Sequence, residues 1–342
     1  MHTITSGIYD EALERFHRTG PEFDGWLSNH GPMVVEVLSR RGSGDTVHRW
    51  TDDYTRRLDP MPRSTRPITP ESAIEALGDH TRLADWISFF EHRVTDELWT
   101  DVLASWWPVL LPGIVAGATH GVIRVGHAVE SLRAEDNGVR RRELAHGLGY
   151  WAARWQRVVA APPRGSHAAR ELMMSVPRVP RQDGGIRDRL VQLPATAGWW
   201  EHGASLRPPE SESEVMAALS SLVDAAVVAY PRIAVGSPTM LVHAATAPHA
   251  VARAVPSLPL SLWRPSFDAA WAASSAVLAA YRPQVAGEDE PTTLSPEDAW
   301  HLAVGNGGEH VVKLADTALE VYARTRDPRA LAAITTAVSL DA

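Results

Sequence analysis

The stretch ELAHGLGYWAARWQRVV, residues 143–159, decides the fold class. Its apolar positions Leu144, Leu148, Trp151, Trp155 and Val158 recur in steps of three and four, the stripe of a helix that buries one face. The same period returns on either side. Tyr9, Leu13 and Phe16 mark a helix over 9–18 that Gly20-Pro21 stops. Pro32 opens a second helix through MVVEVLSR, where a first-turn proline forfeits no hydrogen bond. Thr69-Pro70 reads as an N-cap followed by a first helical residue. Ser211 and Glu214 form a capping-box pattern before a long apolar helix reaching Tyr230. Ser295-Pro296 opens another helix, 305–308 ends it, and Glu309 begins one that runs to about Arg326. Strand signals are scarce. The reading is all-α: a single large helical domain over 1–342, with a long irregular insertion around 160–209, rich in Pro, Gly and Arg, that acts as a lid or a loop packed over the helices.

Composition narrows the function. The 342 residues are 44% hydrophobic and 22% charged, ordinary for a globular chain long enough to bury a sizeable core. A net charge of −8 argues against a dedicated nucleic-acid binder, which needs a basic footprint. The absence of cysteine excludes disulfides, thiolate metal sites, iron–sulfur clusters and cysteine nucleophiles. The amino-terminal MHTITSGIYDEALERF has no basic segment followed by an apolar core. The most apolar window, 106–118, is too short and too rich in Pro and Gly to span a bilayer. A cytoplasmic protein with no membrane partner is expected. The 13 tryptophans suit a core of large helices or a pocket for a flat aromatic ligand, and the 15 histidines invite a search for metal ligands.

Lys313 is the only lysine, and arginine fills every other basic position. In GEHVVKLADT, His310 and Lys313 lie three apart on one helical face. Glu309, four residues before Lys313, offers the alternative of a surface ion pair, which arginine would serve equally well. A lysine differs in that burial can remove its proton, and the neutral amine is a nucleophile. Its uses are a Schiff base, a general base, or reaction with carbon dioxide to a carbamate, an anionic oxygen ligand that beside a histidine reads as a metal site.

In GIVAGATHGVIRVGHAVESL, Gly113, Gly117 and Gly121 recur every four residues, a small-residue helix face allowing close approach. His120 and His127 are seven apart, roughly 10.5 Å along a straight helix, too far for one metal unless the helix distorts. His127 reads equally as a core histidine. His30, in SNHGPM, precedes a rigid helix start and reads as a ligand or a turn residue. His243, in LVHAATAPHA, is a ligand or a satisfied core residue. His146, His202 and His301 have no supporting neighbours. No Gly-x-Gly-x-x-Gly, P-loop, His-Glu-x-x-His or Gly-x-Ser-x-Gly occurs, and paired Glu-x-x-His helices are missing.

Taken in order, NHGPM at 29–33, HGVIRVGHAVESL at 120–132, HAATAP at 243–248 and EHVVKLADT at 309–317 resemble the questin oxidase family over nearly the whole chain. The resemblance implies an enzyme of aromatic polyketide pathways that oxidatively opens a quinone-type ring. The founding activity is an NADPH-requiring Baeyer–Villiger-type oxidation. A related fungal enzyme is similar to a non-haem iron oxygenase whose iron is held by four histidines and a carboxylated lysine. Carried over, His30, His120 and His310 are metal ligands and Lys313 is the carbamate. The fungal pattern has a histidine where this chain has Arg124, and further ones where it has Gly31, Pro32 and Met33. The fourth histidine is therefore His127 or His243, and the other hydrogen-bonds a ligand or faces the substrate in a catalytic role.

The resemblance thus implies an oxygenase with Fe(II) as cofactor and dioxygen as co-substrate. His30, His120 and His310 converge on one buried point, and Trp26, Trp107, Trp151 or Trp155 stack on a small aromatic polyketide. An electron-rich hydroquinone can itself reduce oxygen. The alternatives are a metal-free oxidase in which NADPH acts as an indirect reductant, in solution or through a partner reductase, and a non-catalytic polyketide-binding protein.

Overall fold

The computed structural model describes residues 6–288 and 292–342. The protein is all-α. The one sheet among the described residues is a hairpin of two-residue strands, Glu22–Phe23 and Leu27–Ser28, antiparallel with Glu22 opposite Ser28. Its turn is written in the sequence as Asp24-Gly25, both at positive φ. The chain divides into two compact units, Met1–Arg157 with Pro256–Pro259, and Val158–Val255 with Leu260–Ala342.

In the first unit the Gly138–Arg154 helix packs against Leu83–Asp96 and His120–Ala134. Asn137 caps its start, Oδ1 accepting from the N–H groups of Val139 and Arg140. The expected stripe stops early. The backbone N–H of Gly78 takes the Ala152 carbonyl and Trp155 turns extended, so Trp155 and Val158 lie outside the helix. Trp107 and Trp151 meet edge to face with centroids 5.4 Å apart, and both are fully buried. Burying side chains of that size contributes about 1.5–3 kcal/mol or more apiece.

The four-residue glycine repeat is not one helix face, which corrects the expectation. Gly113 closes the 3-10 turn Leu111–Gly113, Gly117, Ala118 and Thr119 have φ of 51°, 57° and 69°, and the helix begins only at His120. Pro108 and Pro112 both precede the break. The glycines still serve close approach. A Cβ at Gly113 would strike the Trp155 ring, at Gly117 the Tyr150 hydroxyl, and at Gly121 the Trp151 Cβ. Thr69-Pro70 also differs: it forms a hydrogen-bonded turn with Ser72 ahead of the short helix Ala73–Ala76.

In the second unit Glu212–Ile233 packs against His243–Ala254, Trp263–Tyr281 and Pro328–Ser339. By length and composition this helix could cross a membrane, but most of its apolar stretch is buried inside the unit, as in a core helix. Its start differs from the expected box, because Glu214 Oε2 accepts from the Glu210 N–H at 2.9 Å. Pro296–Asn306 begins as read, with Ser295 Oγ accepting from the Asp298 N–H, and ends at Gly307 with φ 73°. Glu309–Thr325 follows.

The insertion is not a free lid. It carries the short helices Ala169–Leu172, Ile186–Leu190 and Trp199–Ser205. It also fastens to the end of Trp263–Tyr281, where helix carbonyls lack internal donors. Val179 N–H donates to Ala279 O, Arg189 Nη1 to Ala280 O and Arg178 Nε to Arg282 O, all within 3.0 Å.

Candidate metal-binding residues

Of the six expected ligands, His30, His120 and His127 belong to the first unit and His243, His310 and Lys313 to the second. In the first unit, His30 sits immediately before Gly31–Arg40 and is held from several sides. Its N–H donates to the Tyr54 hydroxyl, Asn29 Oδ1 accepts from the Gly31 N–H, and Asn29 Nδ2 donates to Gly20 O. Gly31 leaves the space that the Phe16 ring fills. The motif NHGP is thus a clamp that aims one imidazole.

His120 opens its helix straight after the left-handed run 117–119. Three consecutive residues at positive φ, two of them not glycine, are costly and persist only where surroundings enforce them. His120 Nδ1 lies 2.5 Å from Gly117 O and donates to it, which leaves Nε2 as an acceptor. That Nε2 is 2.7 Å from His30 Nε2. A 2.7 Å separation suits a shared proton. Two nitrogens on one tetrahedral metal at about 2.0–2.1 Å would stand roughly 3.3 Å apart, so a small opening would admit an ion.

His127 lies two turns along the same helix, with Nδ1 2.8 Å from Glu36 Oε2. Glu36 is fully buried, and its other oxygen accepts from Arg40 Nε at 2.7 Å. A carboxylate behind one ring nitrogen is the arrangement that orients a ligating histidine. The sequence reading missed Glu36, whose signal is a charge inside the apolar run MVVEVL.

In the second unit His243 is the first residue of its helix, with Nδ1 3.0 Å from Met240 O. Burial, then the nearby Lys313, pushes its pKa down to about 3, so the ring is neutral. The His243 and His310 rings meet edge to face, centroids 5.1 Å apart. Lys313 follows His310 by one turn. It is only 1% exposed, and its Nζ has no hydrogen-bond partner among the described residues. Burial, partly opposed by Glu309, lowers its pKa to about 7. The surface ion-pair reading therefore falls.

Four of these five histidines stand at helix beginnings: His30 just before one, His120 and His243 first, His310 second. The positive end of a helix dipole disfavours added positive charge on a ring held there.

In the first unit a buried group, His17, Glu143 and His146, brings three ligand-type atoms within 4.8 Å of one another. It does not suit a cation. Arg124 donates to both Glu143 oxygens at 2.5 and 2.9 Å, and His17 Nε2 is 3.1 Å from Oε2. The guanidinium already supplies the positive charge. His146, expected to have no supporting neighbours, is buried with Nε2 3.2 Å from Glu91 Oε1. His202 is buried against Trp271, while His301 is exposed.

Of the tryptophans expected to stack on substrate, Trp107 and Trp151 belong to the core and present no face to a ligand, which corrects that assignment. Trp155 lays its ring on Gly113 and is partly covered. Trp26 is 63% exposed at the hairpin tip, four residues before His30. No family model matches the chain, and no curated protein matches it.

Proposed function

We propose that this protein is a non-haem iron-dependent oxygenase that opens a ring of a polycyclic aromatic polyketide, in the manner implied by its resemblance to the questin oxidase family. The resemblance implies that His30, His120, His310 and Lys313, with either His243 or His127, hold the metal. The observation that carries the reading is Lys313: the sole lysine, buried, without a hydrogen-bond partner among the described residues, and one turn from His310.

The donor set fits the group. Neutral imidazoles and an anionic oxygen suit a divalent first-row metal. With a pKa near 7, Lys313 spends much of its time as the free amine. That amine attacks the carbon of carbon dioxide, an N–C bond forms and one proton leaves, converting a cationic side chain to a carboxylate. Fe(II), when bound, supplies a redox centre that activates dioxygen. The chain's own residues hold the His243 ring neutral and keep the other imidazoles buried, and Trp26 offers an aromatic face.

Elemental analysis after anaerobic purification tests the reading. About one iron per chain, with oxygen uptake on adding an aromatic hydroquinone, is the expected result. A protein that purifies without metal and takes up none would end it.

A further inference from the structure

The imidazoles of His30 and His120 are aimed by segments that have little regular secondary structure of their own. His30 follows the hairpin strand Leu27–Ser28, and His120 follows three residues at positive φ. Some contact from outside must hold both. One hydroxyl touches both segments.

Tyr150 lies on the Gly138–Arg154 helix and is 2% exposed. Its Oη is 2.5 Å from Ser28 Oγ, two residues before His30. The same oxygen occupies the space at Gly117, where an added Cβ would come within 2.5 Å of it. Gly117 in turn accepts from His120 Nδ1. Burial, then the negative charge of Glu22, raises the pKa of this phenol, so the hydroxyl keeps its proton and remains able to donate.

We infer that Tyr150 is a positioning residue that sets the His30–His120 pair from behind. Its hydroxyl fixes the end of the hairpin through Ser28. Its bulk at Gly117 fixes the turn whose carbonyl selects the His120 tautomer. A glycine is required at 117 on two grounds, the φ of 51° and the closeness of this oxygen. The inference deepens the metal-site reading and rests on it for its purpose, although every distance used lies within the first unit.

The test uses the full chain, metal-free, with ¹⁵N-labelled histidine. His30→Gln and His120→Gln assign the two pairs of imidazole nitrogen signals. Tyr150→Phe and Ser28→Ala should each shift the signals of both His30 and His120, leaving that of the exposed His301 in place. The double variant should resemble the singles, because both remove one hydrogen bond. Titration with Co²⁺ supplies the second arm: Tyr150→Phe should weaken binding about 10-fold and alter the visible absorption bands. A tyrosine that merely fills the core would lower thermal stability without moving these two rings. Signals of His30 and His120 unchanged in both variants would overturn the inference, whatever the cobalt shows. If the signals move but the wild-type protein takes up no cobalt, positioning stands and the metal reading fails.

Discussion

His249 Nδ1 lies 2.9 Å from Thr317 Oγ1, and that hydroxyl is 3.1 Å from the carbonyl oxygen of Lys313. A threonine that donates to the Lys313 carbonyl must accept from His249. The other ring nitrogen lies 2.8 Å from Glu320 Oε2. Burial would raise the Glu320 carboxyl, but His249 and Arg253 outweigh it and hold the group well below the usual carboxylate range. Arg253 also donates to Asp316. This network cross-links the helix bearing His243 to the helix bearing His310 and Lys313.

His249→Leu removes two buried hydrogen bonds and is expected to cost about 1–3 kcal/mol in urea unfolding, with weaker metal retention. His249→Gln, which can keep one donor, should lose less. Equal stability of the leucine variant and the wild type would show that the network does not join the helices energetically.

Lys313→Arg is expected to abolish bound metal and activity and to lower the melting temperature, because a larger permanent cation would sit in a buried position built for a neutral or anionic group. Lys313→Glu should retain more metal than Lys313→Arg, since a shorter carboxylate can replace part of the carbamate. Metal content by elemental analysis ranks the two. An arginine variant with full metal and turnover would remove Lys313 from the site.

His127→Ala and His243→Ala should separate by metal content and turnover. The variant that purifies without metal identifies the fourth histidine ligand. The other should keep its metal and lose activity, as expected of a group that orients a ligand or faces substrate. Full metal and full turnover in both would exclude both residues.

Acid stability should depend on Glu143. Burial raises its carboxyl, but Arg124 and then His17 overcome this and bring the pKa down to about 2, against an ordinary 4.5. A depressed carboxyl contributes stability that is fully present above the unfolded value and is lost as pH falls from about 4.5 towards 2. The contribution is on the order of 3 kcal/mol. Glu143→Gln should therefore be much less stable than the wild type at pH 7, with the gap closing below pH 4. A gap that stays constant from pH 7 to pH 3 would show that the carboxylate charge is not what Arg124 and His17 stabilise.

What the sequence determined by itself is local. The all-α class, the starts at Pro296 and Glu309 and the stop at Gly307 rest on caps and periods within a few residues, and chain neighbours settle them before any packing occurs. Lys313 was legible for another reason: a single lysine among arginines marks a position where permanent charge is unwanted, and its burial agrees. The early end of the Gly138–Arg154 helix was not legible, because the donor that takes the Ala152 carbonyl comes from Gly78. Nor was the broken glycine repeat, since a spacing of four is compatible with one straight helix or with three separate close approaches. Which tryptophans face a core rather than a ligand depends on partners such as Trp107 for Trp151, 44 residues apart in the chain. The contacts that hold the histidines reach further still, 122 residues from Ser28 to Tyr150 and 91 from Glu36 to His127. Such pairs leave no local pattern, because a hydroxyl or carboxylate finds its partner only after the helices have packed and water has been excluded.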